Sequence, residues 1–156
     1  MNIINGGQHA GNDLEIQEFM ILPTGAESFS DAMRIGCEVY HSLKSLLKKK
    51  FGMAAGNVGD EGGFGAPQLE DENHTLGIVM EAIEASGHAG KVQIGLDVAA
   101  SEFYNKEDKT YDFGAKAGKP RVMNAEQCVQ LFSDLVDKYP IITIEDPFDQ
   151  DHTEAW

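Results

Sequence analysis

Cysteine is nearly missing from this 156-residue chain: it has two, and neither Cys37 nor Cys128 stands in a metal-ligand or redox spacing. A disulfide-rich scaffold is thereby excluded. Both thiols fall on helical patterns at positions that read as packed, so they are expected as core or near-core groups in a reducing compartment. Basic residues are scarce too. Twelve Lys and Arg stand against 26 Asp and Glu, a net charge of −14, which argues against a nucleic-acid or anionic-membrane partner. No apolar run approaches the ~20 residues of a membrane span, and no signal peptide or basic transit segment opens the chain. The expected location is therefore cytoplasmic.

What is present is 42% hydrophobic residues and 17 glycines, the composition of a globular α/β protein with many tight turns and enough chain for one core. Clustered acids in such a protein can also hold a hard cation such as Mg²⁺, which takes oxygen ligands.

Along the chain, Asn2–Asn5 reads as a short strand running into a glycine-rich loop from Gly6 to Gly11. A second strand-like run, Ile16–Leu22, is closed by Pro23 and Gly25. Ser28 with Asp31 three residues on marks a helix start. Phe29, Ala32, Met33, Gly36, Tyr40, Leu43 and Leu47 then recur at spacings of three and four, predicting one apolar face of a long helix that ends at Lys48–Lys50 and Gly52. Gly56–Pro67 is glycine-rich and aperiodic, hence a loop. A second helix is expected over Asn73–Ser86 with Leu76, Met80 and Ile83 inward. A strand follows at Val92–Asp97, then an irregular polar stretch, Tyr104–Pro120, that reads as a hairpin or surface insertion. A third helix from Asn124 turns Cys128, Leu131, Phe132 and Leu135 inward, and Tyr139-Pro140 stops it before the strand Ile141–Ile144. The end of the chain is a βαβ unit with a right-handed crossover expected.

Apolar, β-branched residues run straight into carboxylates twice, at Leu96-Asp97 and at Ile144-Glu145-Asp146. Strands buried on both faces read as continuous apolar runs, and a charge is costly there unless it lies at the strand's end with a partner. Two such strands with a helix between them describe the rim of a β/α barrel, where metals and substrates bind. Acids gathered there repel one another unless a cation or a shared proton lies between them. Asp97 and Glu145 are therefore candidate Mg²⁺ ligands. Glu18 and Glu61 are candidates for a proton-sharing pair, one member of which is protonated at neutral pH as a general acid requires. His9, in the first glycine loop, reads either as a loop residue bonded to a backbone carbonyl or as a further candidate ligand. The glycine segments fail the nucleotide tests: Asn12-Asp13 stands where a P-loop needs Lys and Ser or Thr, and no Gly-x-Gly-x-x-Gly opens a helix. His41, His74, His88 and His152 read as surface or helix-packing residues.

Five segments, Asn-Gly-Gly-Gln-His-Ala-Gly, Ile-Gln-Glu-Phe-Met, Gly-Asn-Val-Gly-Asp-Glu-Gly-Gly, Gly-Leu-Asp-Val-Ala-Ala-Ser-Glu-Phe-Tyr and Ile-Glu-Asp-Pro-Phe, occur in an order and spacing that resemble the enolase family. The resemblance covers essentially the whole chain. It implies an α/β fold, a partial TIM-like barrel with an irregular ββαα opening and an antiparallel second strand, truncated about half-way round. Residues 1–156 would be the first half of the family's C-terminal barrel domain, without its N-terminal capping domain or the second half of the barrel. It further implies a Mg²⁺-dependent lyase interconverting 2-phosphoglycerate and phosphoenolpyruvate. In that family's terms, Glu61 matches the proton donor, Glu18 its acidic neighbour and a substrate contact, and His9 the histidine of a mobile substrate loop. Asp97 and Glu145 match two of three carboxylates on the first Mg²⁺, Glu145 also facing substrate. A second Mg²⁺ joins through the substrate phosphate, and the parent enzyme is expected as a homodimer.

The lysine base, the third metal carboxylate and the phosphate-binding pair belong to the half not represented. The isolated segment is therefore expected to be inactive. Two other readings are a catalytically dead truncated product with a binding role, and a small acidic metal-binding α/β domain.

Overall fold

The computed structural model describes residues 1–156. Its main sheet has four strands: β1 (Asn2–Asn5), β2 (Glu18–Leu22), β3 (Gln93–Asp97) and β7 (Ile141–Glu145), in the spatial order β1-β2-β3-β7. β2 runs antiparallel to both β1 and β3, whereas β3 and β7 are parallel. β3 and β7 therefore end at the same rim, and β2 begins there.

Register fixes what each face presents. Ile4, Phe19, Leu96 and Ile144 form one row of paired residues across the four strands, and the first three are fully buried. The adjoining row toward the rim faces the other way, because side chains alternate along a strand. One residue before Leu96 on β3, Gly95 sits between Met20 and Thr143. A Cβ there would come within 2.9 Å of Thr143 Cγ2 and 3.1 Å of Leu22 Cδ1, so the strand admits only glycine without displacing its neighbours.

The three helices start where side chains can cap them. Ser28 accepts from the Asp31 amide to open α1 (Phe29–Phe51), and Gly52 at φ 90° closes it. Asp71 accepts from His74 N to open α2 (Glu72–Ala85). Asn124 and Gln127 form a reciprocal capping box at the start of α3 (Ala125–Lys138). The buried stripe of α1 is Ile35, Gly36, Val39, Leu43 and Leu47. Phe29, 81% exposed, and Met33, 44% exposed, are not part of it. Both stripes satisfy the three-and-four spacing. The structure buries the one carrying the branched residues Ile35 and Val39. Cys128 is buried as expected, but Cys37 is exposed, standing one step round from Ile35 and Gly36 on the helix surface. His88 and His152 are buried rather than superficial: His88 faces the Glu38 carboxylate, and His152 Nδ1 lies 2.9 Å from the Tyr111 hydroxyl.

The stretch read as a hairpin or surface insertion is a second, three-stranded antiparallel sheet: β4 (Tyr104–Asn105), β5 (Thr110–Asp112) and β6 (Val122–Met123). It is anchored rather than loose. Tyr111 is fully buried, Phe113 packs edge-on against Phe103 at 4.9 Å, and Arg121 makes a two-pronged ion pair with the buried Glu72 at 2.9 and 2.7 Å.

The buried row predicts an asymmetry between two apolar truncations. Leu96→Ala should cost about 2–5 kcal/mol as a core cavity, whereas Phe29→Ala should cost less than about 0.5 kcal/mol as an exposed change. Urea unfolding midpoints would measure both, and comparable losses would refute the placement of the α1 stripe.

Candidate active site

The row of paired residues at the rim is Asn5, Glu18, Asp97 and Glu145. Asn5 pairs with Glu18, Glu18 with Asp97, and Asp97 with Glu145. Register partners present their side chains to one face, so three carboxylates and an amide stand side by side on adjacent strands. Glu18 reaches this row only because β2 is antiparallel, which makes its first residue, not its last, the rim residue.

Glu61 arrives from outside the sheet. The glycine-rich loop folds on itself through Gly59 N to Gly63 O at 2.9 Å and Gly62 N to Gly59 O at 2.9 Å. It docks beside β1 through the exchange of Phe64 N with Ile3 O and Asn5 N with Phe64 O. From α1, Tyr40 stacks on Phe64 with ring centroids 4.6 Å apart and donates its hydroxyl to Gly62 O at 2.7 Å. The Glu61 carboxylate then accepts from Asn5 Nδ2 at 2.6 Å and Asn2 Nδ2 at 3.3 Å, and its other oxygen lies 2.7 Å from His9 Nδ1. A side chain on Gly63 would collide with the Asn5 carboxamide, so glycine there is the condition for seating the amide under Glu61.

Sequence reasoning had singled out His9, Glu18 and Glu61, and the structure brings these three together, with their ligand atoms within 4.8 Å of one another. Burial, then the charges of Glu61 and Asp97, push the Glu18 carboxyl up from its ordinary value, and a hydrogen bond to Glu61 favours its protonated form. For Glu61, burial also pushes upward, but the hydrogen bonds from Asn5 and His9 prevail and hold it below the usual carboxylate value. Of the two, Glu18 is therefore the carboxyl that takes a proton more readily, and Glu61 the one that stays ionised to lower pH. A nitrogen and two carboxylate oxygens this close could also hold a metal ion, of the kind that accepts imidazole.

Asp97 and Glu145 lie outside that three-donor group but are direct register partners. Burial raises the Asp97 carboxyl, the charge of Glu145 raises it further and Asp146 adds to this, against hydrogen bonds from the Ala99 amide and Gln17. Both neighbouring charges that act on Asp97 are thus negative. Asp97 therefore ionises against the charge of its neighbours, and the register pairing of parallel strands keeps Glu145 beside it. The backbone turns sharply just past both acids: Ala99 and Asp146 have φ of 49° and 45°. These left-handed conformations are uncommon outside glycine and recur at functional sites.

Comparison with known proteins gives the family of the chain. Residues 1–156 match the family described as the enolase C-terminal TIM barrel domain. An enolase of Eimeria tenella is 56% identical over 158 residues, covering 99% of this chain. The chain belongs to the enolase family. It spans about a third of that relative, 35% of its length, and its mixed sheet and helices form an incomplete TIM-barrel-like domain of the enolase type. No helix is long and apolar enough to cross a membrane.

Asn5 and Asn2 were missed by sequence reasoning. Asn5 precedes Gly6-Gly7 and so reads as a turn former. The available signal was its place as the last residue of a short strand, opposite in sense to the acid that opens the next.

The opposed shifts of Glu18 and Glu61 make a pH prediction. With Glu18 raised above its ordinary 4.5, the unfolded chain gives up that proton at lower pH than the folded one, so stability falls as pH rises through this interval. Glu61, lowered, contributes stability above its ordinary value that is lost as pH falls through its folded one. Glu18→Gln removes only the first effect while keeping a donor toward Glu61. It should be more stable than the parent at pH 7, with the difference shrinking as pH drops toward 4. Denaturant midpoints at the two pH values would test it, and a pH-independent difference would overturn the assignment of the proton to Glu18.

Proposed function

We propose that this chain supplies the metal-binding and proton-donating rim of an enolase that dehydrates 2-phosphoglycerate to phosphoenolpyruvate. The observation that carries this reading is the convergence of Glu18, Asp97 and Glu145 in one register row, with Glu61 delivered to it by the docked glycine loop. Asp97 and Glu145 would hold Mg²⁺, which when bound supplies positive charge against an anionic, enolate-like species.

The chain's own residues then divide the work. A base outside these 156 residues takes the proton next to the carboxylate, and the hydroxyl at the neighbouring carbon departs as water with a proton from Glu61. For Glu61 to donate, the proton it shares with Glu18 must first pass to it along their hydrogen bond. Incoming anionic substrate favours that transfer by raising the cost of the Glu61 anion. Once the proton has gone to the leaving water, Asn5 and His9 stabilise the carboxylate left behind, which makes Glu61 the stronger acid of the pair at the moment of donation. His9, carried on the loop between Gly6 and Gly11, closes the substrate side. On this reading the whole protein works in the cytoplasm, pairs as a homodimer, and the isolated 156-residue segment has no turnover.

The full-length gene product should convert 2-phosphoglycerate in a Mg²⁺-dependent manner. Glu61→Gln should lower kcat by about 10²–10⁴, the usual worth of a general acid. Asp97→Asn should weaken Mg²⁺ binding at least tenfold in a calorimetric titration. Undiminished turnover by Glu61→Gln would remove the proton-donor role.

A further inference from the structure

We propose that Lys116, on the turn between β5 and β6, is the residue that positions the His9 loop. This inference rests on the reading of His9 as a substrate-side residue and assigns to the second sheet a part in the site. Lys116 Nζ donates to the carbonyl oxygens of Gly7, of Ala10 at 3.1 Å and of Leu14 at 3.1 Å. An ammonium has three N–H donors, and all three are spent on one loop more than a hundred residues earlier in the chain. His9 lies between the first two acceptors. The Lys116 amide adds a fourth tie, donating to Glu15 Oε1 at 2.6 Å, and Glu15 is itself only 8% exposed.

The turn that carries Lys116 is built to hold it there. Asp112 Oδ1 accepts from Gly114 N at 3.0 Å and from Arg121 N at 2.8 Å, which pins both ends of the excursion. Arg121 is clamped in turn to Glu72 at the start of α2. The ammonium thus comes from a fixed support. The loop it grips is otherwise held by Gly6 N to Gln17 O, Gly7 N to Leu14 O, His9 N to Gly6 O, Asn12 Nδ2 to Asn5 O, Leu14 N to Asn12 Oδ1 and the His9–Glu61 contact. Without Lys116, three carbonyls that converge on one point lose their common donor. The loop would then sample arrangements in which His9 no longer lies beside Glu61. A protein whose competent conformation is only fractionally populated binds its ligand more weakly by that fraction, so the deficit should fall on substrate affinity rather than on the chemical step.

The test uses the full-length gene product with Lys116→Met and Lys116→Arg. In Lys116→Met, amide hydrogen exchange across residues 6–14 should quicken at least tenfold while α1 and α2 keep their protection. KM for 2-phosphoglycerate should rise about tenfold, with kcat within threefold of the parent. Lys116→Arg, which keeps the charge and several donors, should recover most of both losses. Unchanged loop exchange in Lys116→Met would overturn the tether, and quickened exchange with an unchanged KM would overturn its service to the site. Exchange is read without turnover, so an inactive parent protein would count against the enzymatic reading while the tether is still judged on its own.

Discussion

The direction of β2 is the constraint on which the site depends. Strand spacing is about 4.8 Å, so residues in register on neighbouring strands are held closer than carboxylates would choose. With β2 antiparallel between β1 and β3, Glu18 opens its strand at the same rim where Asp97 and Glu145 close theirs. Were β2 parallel, its rim residue would be Leu22 and the row would lose one of its three acids. The buried row behind, Ile4 with Phe19 and Leu96, fixes the register, because a slip of one residue would exchange the apolar face for the acidic one. Hydrophobic burial therefore sets the spacing that makes the acids interact.

Given that spacing, the protein differentiates acids that are chemically alike. Glu61 receives two amide donors and faces an imidazole, while Glu18 has another carboxylate on either side. One pair of glutamates thereby acquires unequal proton affinities, which is the usual way a fold assigns acid and base roles. The inequality rests on small residues as much as on charged ones. Gly63 makes room for the Asn5 carboxamide, and the docking of Phe64 between β1 and Tyr40 keeps Glu61 from withdrawing.

Much of this was legible in the residues. Apolar runs ending in Asp97 and Glu145 marked two rim strands, and Ser28, Gly52 and Asn124 marked helix ends within a residue or two. What was not legible required tertiary neighbours. The α1 pattern admits two overlapping stripes, and only contact with the core decides that Ile35 and Val39 turn inward while Phe29 and Cys37 do not. Tyr104–Pro120 is polar and irregular by composition, and its anchoring depends on partners far along the chain, Glu72 for Arg121 and the His9 loop for Lys116. Asn5 was hidden by its dual suitability as a turn residue and as an amide donor.

The two acid groupings on the rim solve like-charge repulsion in different ways, and this separates their roles. Around Glu61 the protein supplies its own compensation: two asparagine amides, an imidazole and a hydrogen bond with Glu18. Around Asp97 the acting charges are Glu145 and Asp146, opposed by one backbone amide and a long contact of 3.5 Å from Gln17. Neutral donors are weak compensation for adjacent anions, and the left-handed turns at Ala99 and Asp146 that present these acids cost conformational energy besides. Asp97 thus faces like charge with little to offset it, the reverse of the donors gathered around Glu61. Asp97 is raised by its acidic neighbours and in turn raises Glu18, so the two halves of the rim are linked by electrostatics alone.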